Sequence, residues 1–196
     1  MTPNAFRAMC MLAGVAHLCL IPAMKATAPE KVLIDFSNTD TPAWQVVNDD
    51  VMGGVSKSRF VVTNGTAVFR GKVSLANNGG FASVRSSPAK LDLTGFDAFI
   101  LRVRGDGRKY KFTVRTDSSF HGPIYPCAFT TKTGTWEEHR LAFQDFVPTF
   151  RGYVLTDAPA FDPARVVSVG ILIADKQAGP FRLELAWIKA SSAARP

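Results

Sequence analysis

Two adjacent acids, Asp49 and Asp50, stand directly before Val-Met-Gly-Gly in the stretch WQVVNDDVMGGVS. Such a pair could act as general acid and base, ligate a cation, rim a binding site, or hold a turn. Neighbouring side chains on an extended chain point to opposite faces, so the two acids would rarely share one substrate. A glycosidase, moreover, needs carboxyl groups converging from different elements. The turn reading asks less of the chain. One Asp accepts backbone N–H bonds from the turn at Met52-Gly53-Gly54, and the two glycines permit positive φ or a close backbone approach. The turn role is therefore preferred, with the loop bordering a binding site and with Asp50 as the stabilising acid.

Cationic and aromatic side chains form the second chemical set. In NNGGFASVRSS, Ser83 and Arg85 share one strand face with Phe81, while Arg102, Arg104 and Arg115 occupy polar faces of neighbouring strands. Several guanidinium groups near one sheet face, with Tyr110 beside them, could clasp a sugar or an acidic peptide; a solvated sheet face explains them equally. Trp44, Trp136 and Tyr110 are the candidates for a sugar platform, although the alternation around Tyr110 points it toward a core. Asp175 and Lys176 read as a turn with a local salt bridge.

Other chemistries find little support. Phosphate-loop, zinc-protease, paired-cysteine and nucleophile-elbow signatures are missing. Cys127, with His121 and His139, could suggest a thiol hydrolase, but it follows a loop entering a strand, where a buried free thiol is common. Outside residues 1–28 only those two histidines occur, too few for a multi-histidine metal site. An oxygen-ligand calcium site remains open to Asp35, Asp49, Asp50 and Asp175, and would hold a loop rather than catalyse. Metal catalysis and cofactors are not expected.

The elements that must position these residues are strands. FVVTNGTAVFRGKV holds a hairpin about Asn64-Gly65, the dipeptide that suits a type I′ turn. FDAFILRVRGDGRKYKFTVRTD reads as a second hairpin about Gly105-Asp106-Gly107, and its latter half alternates Tyr110, Phe112 and Val114 with Lys109, Lys111, Thr113 and Arg115. RLAF, VVSVGILIA and FRLELAWIKA supply three more strands. Short strands about ten residues apart, separated by Gly, Asn, Asp and Pro, predict an all-β antiparallel sandwich or barrel in one domain over 31–190. The 15 Phe would furnish its core. Residues 191–196 read as a frayed tail.

Residues 1–28 have no acid, an early Arg7, an apolar run and a small-residue Ala-Thr-Ala, the layout of a signal peptide. The protein is accordingly expected to be exported, periplasmic or secreted. The alternatives are a mitochondrial location, which would want more Arg and Ser in a leader, a cytoplasmic one, or an uncleaved membrane anchor. Without this segment the net charge falls from +7 to +5, spread along the chain, which argues for solubility rather than nucleic-acid binding.

Five motifs, W…NDDVMGGVS, GGFASVRS, LRVRGDGRKYKFTVRTD, FTTKTGTWEEHRLAFQDFVPTFRG and DKQAGPFRLELAWI, resemble the complex I intermediate-associated protein 30 domain in the family's own order, over nearly all of residues 32–189. The resemblance implies a galactose-binding-like jelly-roll sandwich. It also implies an assembly factor, or chaperone, for NADH:ubiquinone oxidoreductase rather than a catalytic subunit of it. Its signature positions fall here on Asp50, Met52, Gly53, Gly54, Ser56, Ser83, Arg85, Gly105, Asp106, Gly107, Tyr110, Trp136, Arg151 and Gly152. Assembly of the peripheral arm occurs on the matrix or cytoplasmic side, which an exported chain would not reach.

Two classes of function follow. The first is a non-enzymatic module binding a protein partner, such as respiratory complex I subunits or assembly factors, and meeting a membrane only through that partner or an uncleaved leader. The second is an exported carbohydrate-binding module. The expected binding residues are Asp49, Asp50, Ser56, Ser83, Arg85, Arg102, Arg104, Tyr110, Arg115 and Trp136.

Overall fold

The computed structural model describes residues 29–119 and 122–193; the expected leader, His121 and the last three residues lie outside the described residues. Thirteen strands follow in order among them: β1 (Glu30–Asp35), β2 (Trp44–Asn48), β3 (Lys57–Thr63), β4 (Thr66–Val73), β5 (Ala82–Ser86), β6 (Ala98–Arg104), β7 (Lys109–Arg115), β8 (Tyr125–Thr130), β9 (Trp136–Ala142), β10 (Thr149–Phe150), β11 (Tyr153–Val154), β12 (Ser168–Ile173) and β13 (Gly179–Ser191). Two antiparallel sheets stack face to face. One has the order β3-β4-β13-β6-β9, with β1 also paired to β13; the other has the order β2-β5-β12-β7-β8. The fold is an all-β antiparallel sandwich, one of the two arrangements the strand spacing predicts and the one the family resemblance implies.

Alternation along each strand places the core between the sheets. Phe99 and Leu101 of β6, Phe69 of β4 and Leu183 and Leu185 of β13 face Phe112 and Val114 of β7 and Ile171 of β12, all of them fully buried. Phe99 and Phe112 meet edge-on across the core at 4.9 Å between centroids. Burying one such side chain stabilises the fold by roughly 1.5–3 kcal/mol.

The Asn64-Gly65 hairpin forms with Thr63 opposite Thr66, and both turn residues take positive φ, 49° and 72°, as a type I′ turn requires. The second expected hairpin does not form. β6 pairs with β13 and β9 in one sheet, whereas β7 pairs with β12 and β8 in the other. Gly105-Asp106-Gly107 is instead a crossover between layers, fixed by Asp106, whose carboxylate accepts from Tyr110 Oη at 3.0 Å and from the Arg182 amide at 2.8 Å. The apolar faces of β6 and β7 look at each other across the core, so side-by-side pairing would have turned one of them to water. At the C-terminus, Ser191 closes β13 and the Ala193 amide still donates to Asp97 at 2.9 Å, so pairing runs into the segment read as a tail.

Candidate functional site: two opposed polar faces

The acidic pair resolves into two different residues. Asp49 is 1% exposed, and its carboxylate accepts four hydrogen bonds: Ser56 N at 2.9 Å, Ser56 Oγ at 2.6 Å, Gly80 N at 2.7 Å and Phe81 N at 3.3 Å. A Cβ on Gly54 would collide with this carboxylate. Burial pushes the Asp49 pKa up, but the bonds from Ser56, Gly80 and Phe81 outweigh it and hold the group below the usual carboxylate range. Asp50 is exposed, and among the described residues its carboxylate accepts from the amide of the next residue, Val51, at 3.1 Å. The stabilising acid is therefore Asp49 rather than Asp50, and it ties together two loops more than twenty residues apart, where the sequence suggested only its own turn. The Gly54 amide bonds the Asp49 carbonyl instead, at 2.9 Å.

The expected arginines do not share one face. Ser83 and Arg85 of β5 and Arg115 of β7 lie on the outer face of the five-stranded sheet, where Arg85 and Arg115 line a cavity of about 230 Å³ together with Gln45, Asp117 and Ser168. Ser83 Oγ donates to the Val47 carbonyl, Arg85 donates to Gln45 Oε1 at 3.1 Å and Arg115 to the Ser119 carbonyl at 3.0 Å. Burial and then the charge of Arg85 press the Arg115 guanidinium below its usual pKa, with Asp117 opposing. Gly170 stands opposite Arg85 in the sheet, and a Cβ there would lie 2.5 Å from the Val84 carbonyl oxygen.

Arg102, Arg104 and Trp136 lie on the opposite side of the molecule, on the outer face of the six-stranded sheet. Both guanidinium groups sit over the Trp136 ring, at 5.8 and 5.1 Å from its centroid. Arg104 bonds Glu184 through Nη2 at 2.5 Å and Nε at 3.1 Å, and Arg182 bonds the other oxygen of the same carboxylate at 2.9 Å. Burial raises the Glu184 pKa, but these two arginines lower it further and win. Trp187, opposite Arg102 across the sheet, carries Lys189 Nζ at 4.3 Å over its ring.

Sequence reasoning missed the rest of this face. Register brings Arg59, Arg70 and Arg182 into one cross-strand row, and Lys57 and Lys72 into the next outward row. The signal was present: with the turn at Asn64-Gly65, KSR and RGK fold onto each other and place cation opposite cation. Tyr110 leaves the expected binding set, since its ring is fully buried and its hydroxyl donates to Asp106; burial first, then Asp106, pushes its pKa up. Trp44 is stacked on Phe60 at 4.8 Å, its indole N–H buried without an acceptor among the described residues. Arg151 and Gly152, with φ of 49° and 86°, form the turn between β10 and β11. Cys127 is buried and its thiol pushed up to about 11 by burial and then by Asp145, which disfavours the thiolate. His139 packs against Phe129 at 5.1 Å. Among the described residues no three His, Cys, Asp or Glu side chains group as a metal site. Asp35 instead accepts from Ser37, and Asp175 pairs with Lys111 at 2.6 Å.

This is an antiparallel β-sandwich with two polar outer faces, a fold that solved structures share. The family 11 carbohydrate-binding module of a cellulosomal cellulase from Clostridium thermocellum superposes with a TM-score of 0.62 at 16% identity, over 87% of this chain and 99% of that one. A crystal structure of an agarase gives 0.58 at 13% identity, over 85% of this chain and 25% of that one. The sequence fixes the family more narrowly: residues 34–185 match the model of complex I intermediate-associated protein 30, and the chain belongs to that family. Curated relatives named complex I intermediate-associated protein 30, mitochondrial, are 26% identical in Drosophila melanogaster, over 80% of this chain and 61% of that protein. The Mus musculus relative is also 26% identical, over 76% of this chain and 52% of that protein. The chain thus spans between half and three fifths of the length of these two relatives.

Proposed function

We propose that this protein is a non-catalytic interaction module that serves complex I assembly by binding a protein partner. The observation that carries the reading is the family match combined with the outer face of the six-stranded sheet, where two half-buried tryptophans lie beneath cations. Arg and Trp are the residues enriched at the centres of protein interfaces. A sugar platform needs a bare flat ring, and here Trp44 is stacked, Tyr110 is buried, and the Trp136 and Trp187 rings are capped by cations. The relatives are named as mitochondrial, which favours action in the compartment where the complex assembles over export through residues 1–28.

The test is affinity purification of the tagged full chain from its host, with fractionation and sequencing of the mature N-terminus. Recovery of NADH:ubiquinone oxidoreductase subunits is the expected result. A chain cut near Ala26 or Ala28, found only in the exported fraction and without those subunits, would overturn the proposal.

A further inference from the structure

The cationic rows of the six-stranded sheet conflict with its own stability. Arg59, Arg70 and Arg182 lie directly opposite one another on β3, β4 and β13, with Lys57 opposite Lys72 one row further out. Like charges facing across strands repel. All five side chains are exposed and line one shallow groove of about 610 Å³. Lys57, Arg59, Arg70 and Lys72 have no ion pair among the described residues. Arg182 shares Glu184 with Arg104, so one carboxylate already serves two cations.

Edge protection does not account for the arrangement. Charges that stop a sheet from adding strands belong on the edge strand, here β3, whereas Arg70, Lys72 and Arg182 stand on the interior strands β4 and β13. With strands about 4.8 Å apart and same-face residues about 7 Å apart, the patch measures roughly 10 by 7 Å. That is narrower than the reach of a duplex along its phosphates, and it ends at Glu184 and at the exposed Val61. A small cationic patch with apolar margins, rich in planar forks that pair with carboxylates, fits an acidic protein segment.

We infer that this groove is the docking site for a short run of Asp or Glu side chains on the protein partner. The inference rests on the interaction-module reading and names the chemistry of the surface that performs it. The arginine row accepts the carboxylates and is relieved of its self-repulsion on binding, so its unfavourable energy in the free protein becomes selectivity for an acidic ligand.

The probe is a fluorescent hexaglutamate peptide titrated against the full chain at low and high salt. Three variants accompany it: R59Q/R70Q, R59E/R70E, and a control that removes two cations elsewhere, K90Q/K176Q. Salt-sensitive binding that falls at least tenfold in R59Q/R70Q and not in the control is expected, with the melting temperature of R59Q/R70Q equal to or above that of the parent. A groove whose arginines were merely structural would show a lowered melting temperature and unchanged peptide binding, which would overturn the inference. So would tighter binding of a DNA duplex or of phosphatidylglycerol vesicles than of the peptide. If R59E/R70E recovers respiratory subunits as well as the parent does, docking lies elsewhere and only the groove assignment fails. If the parent recovers none, the interaction-module reading fails, whatever the peptide result.

Discussion

Replacing Asp49 by Ala should be among the most damaging single changes outside the core. The substitution leaves three amides without their acceptor. Ser56 N is buried, while Gly80 N and Phe81 N are half-buried and open to compensation by water. Ser56 Oγ keeps Ser74, whose amide donates to it at 2.9 Å and whose carbonyl can take its proton at 3.3 Å. One buried unsatisfied donor at about 1–3 kcal/mol and two half-exposed ones at about 0.5–1.5 each give roughly 2–6 kcal/mol. For a domain of this size each kcal/mol moves the melting temperature by about 2–4 °C, so a fall of about 10 °C is expected. Asp50→Ala should stay within about 0.5 kcal/mol. Urea unfolding with an unchanged slope measures both. The pH dependence carries a sign: the folded-state pKa of Asp49 is depressed, so its contribution is fully present above the unfolded value of about 3.9 and is lost as pH falls through the lower folded value. The gap between parent and Asp49→Asn should therefore be flat from neutral pH down to about pH 5 and close in stronger acid. Equal losses from Asp49→Ala and Asp50→Ala, or a gap that widens on acidification, would refute the reasoning.

Three further outcomes are expected. Gly170→Ala should cost about 1–3 kcal/mol in urea unfolding, because its Cβ would press on the Val84 carbonyl and lie 2.8 Å from Thr113 Oγ1. Glu184→Gln should lower stability by about 1–2 kcal/mol, a figure reduced for half-exposed guanidinium partners, and the loss should shrink in high salt, since it takes the shared carboxylate from Arg104 and Arg182 next to Arg70 and Arg59. Cys127 should resist alkylation at neutral pH in the native protein and react on unfolding, as judged by mass spectrometry of its peptide, because burial holds its thiol near 11.

Strand content and the sandwich were legible because alternation is written locally, and Asn64-Gly65 announces its turn in two residues. The partner of each strand was not. The Gly105-Asp106-Gly107 segment looks like a hairpin loop in every local respect, and only the need to bury Phe99 and Phe112 against each other sends β6 and β7 to different layers. The same gap scattered the candidate site. Arg102 and Arg115 read as neighbours until layer assignment put them on opposite sides of the molecule. Asp49 and Asp50 were indistinguishable in the chain because the amides that separate them, those of Gly80 and Phe81, belong to a loop some thirty residues away. The Arg59–Arg70 pairing, by contrast, could have been read from the hairpin register alone.

The spine of the six-stranded sheet is the last of its own strands to be made. β13 pairs with β4 and β1 along one edge and with β6 along the other, and β12, second to last, joins β5 to β7 in the opposite layer. During synthesis β4 and β6 emerge with an empty slot between them, and so do β5 and β7. Neither layer can close until residues 168–191 have left the ribosome. The phenylalanine-rich strands made before residue 168 therefore lack their central partners until those residues emerge. Such late, non-local pairing leaves apolar strand faces exposed to aggregation before the sandwich can form.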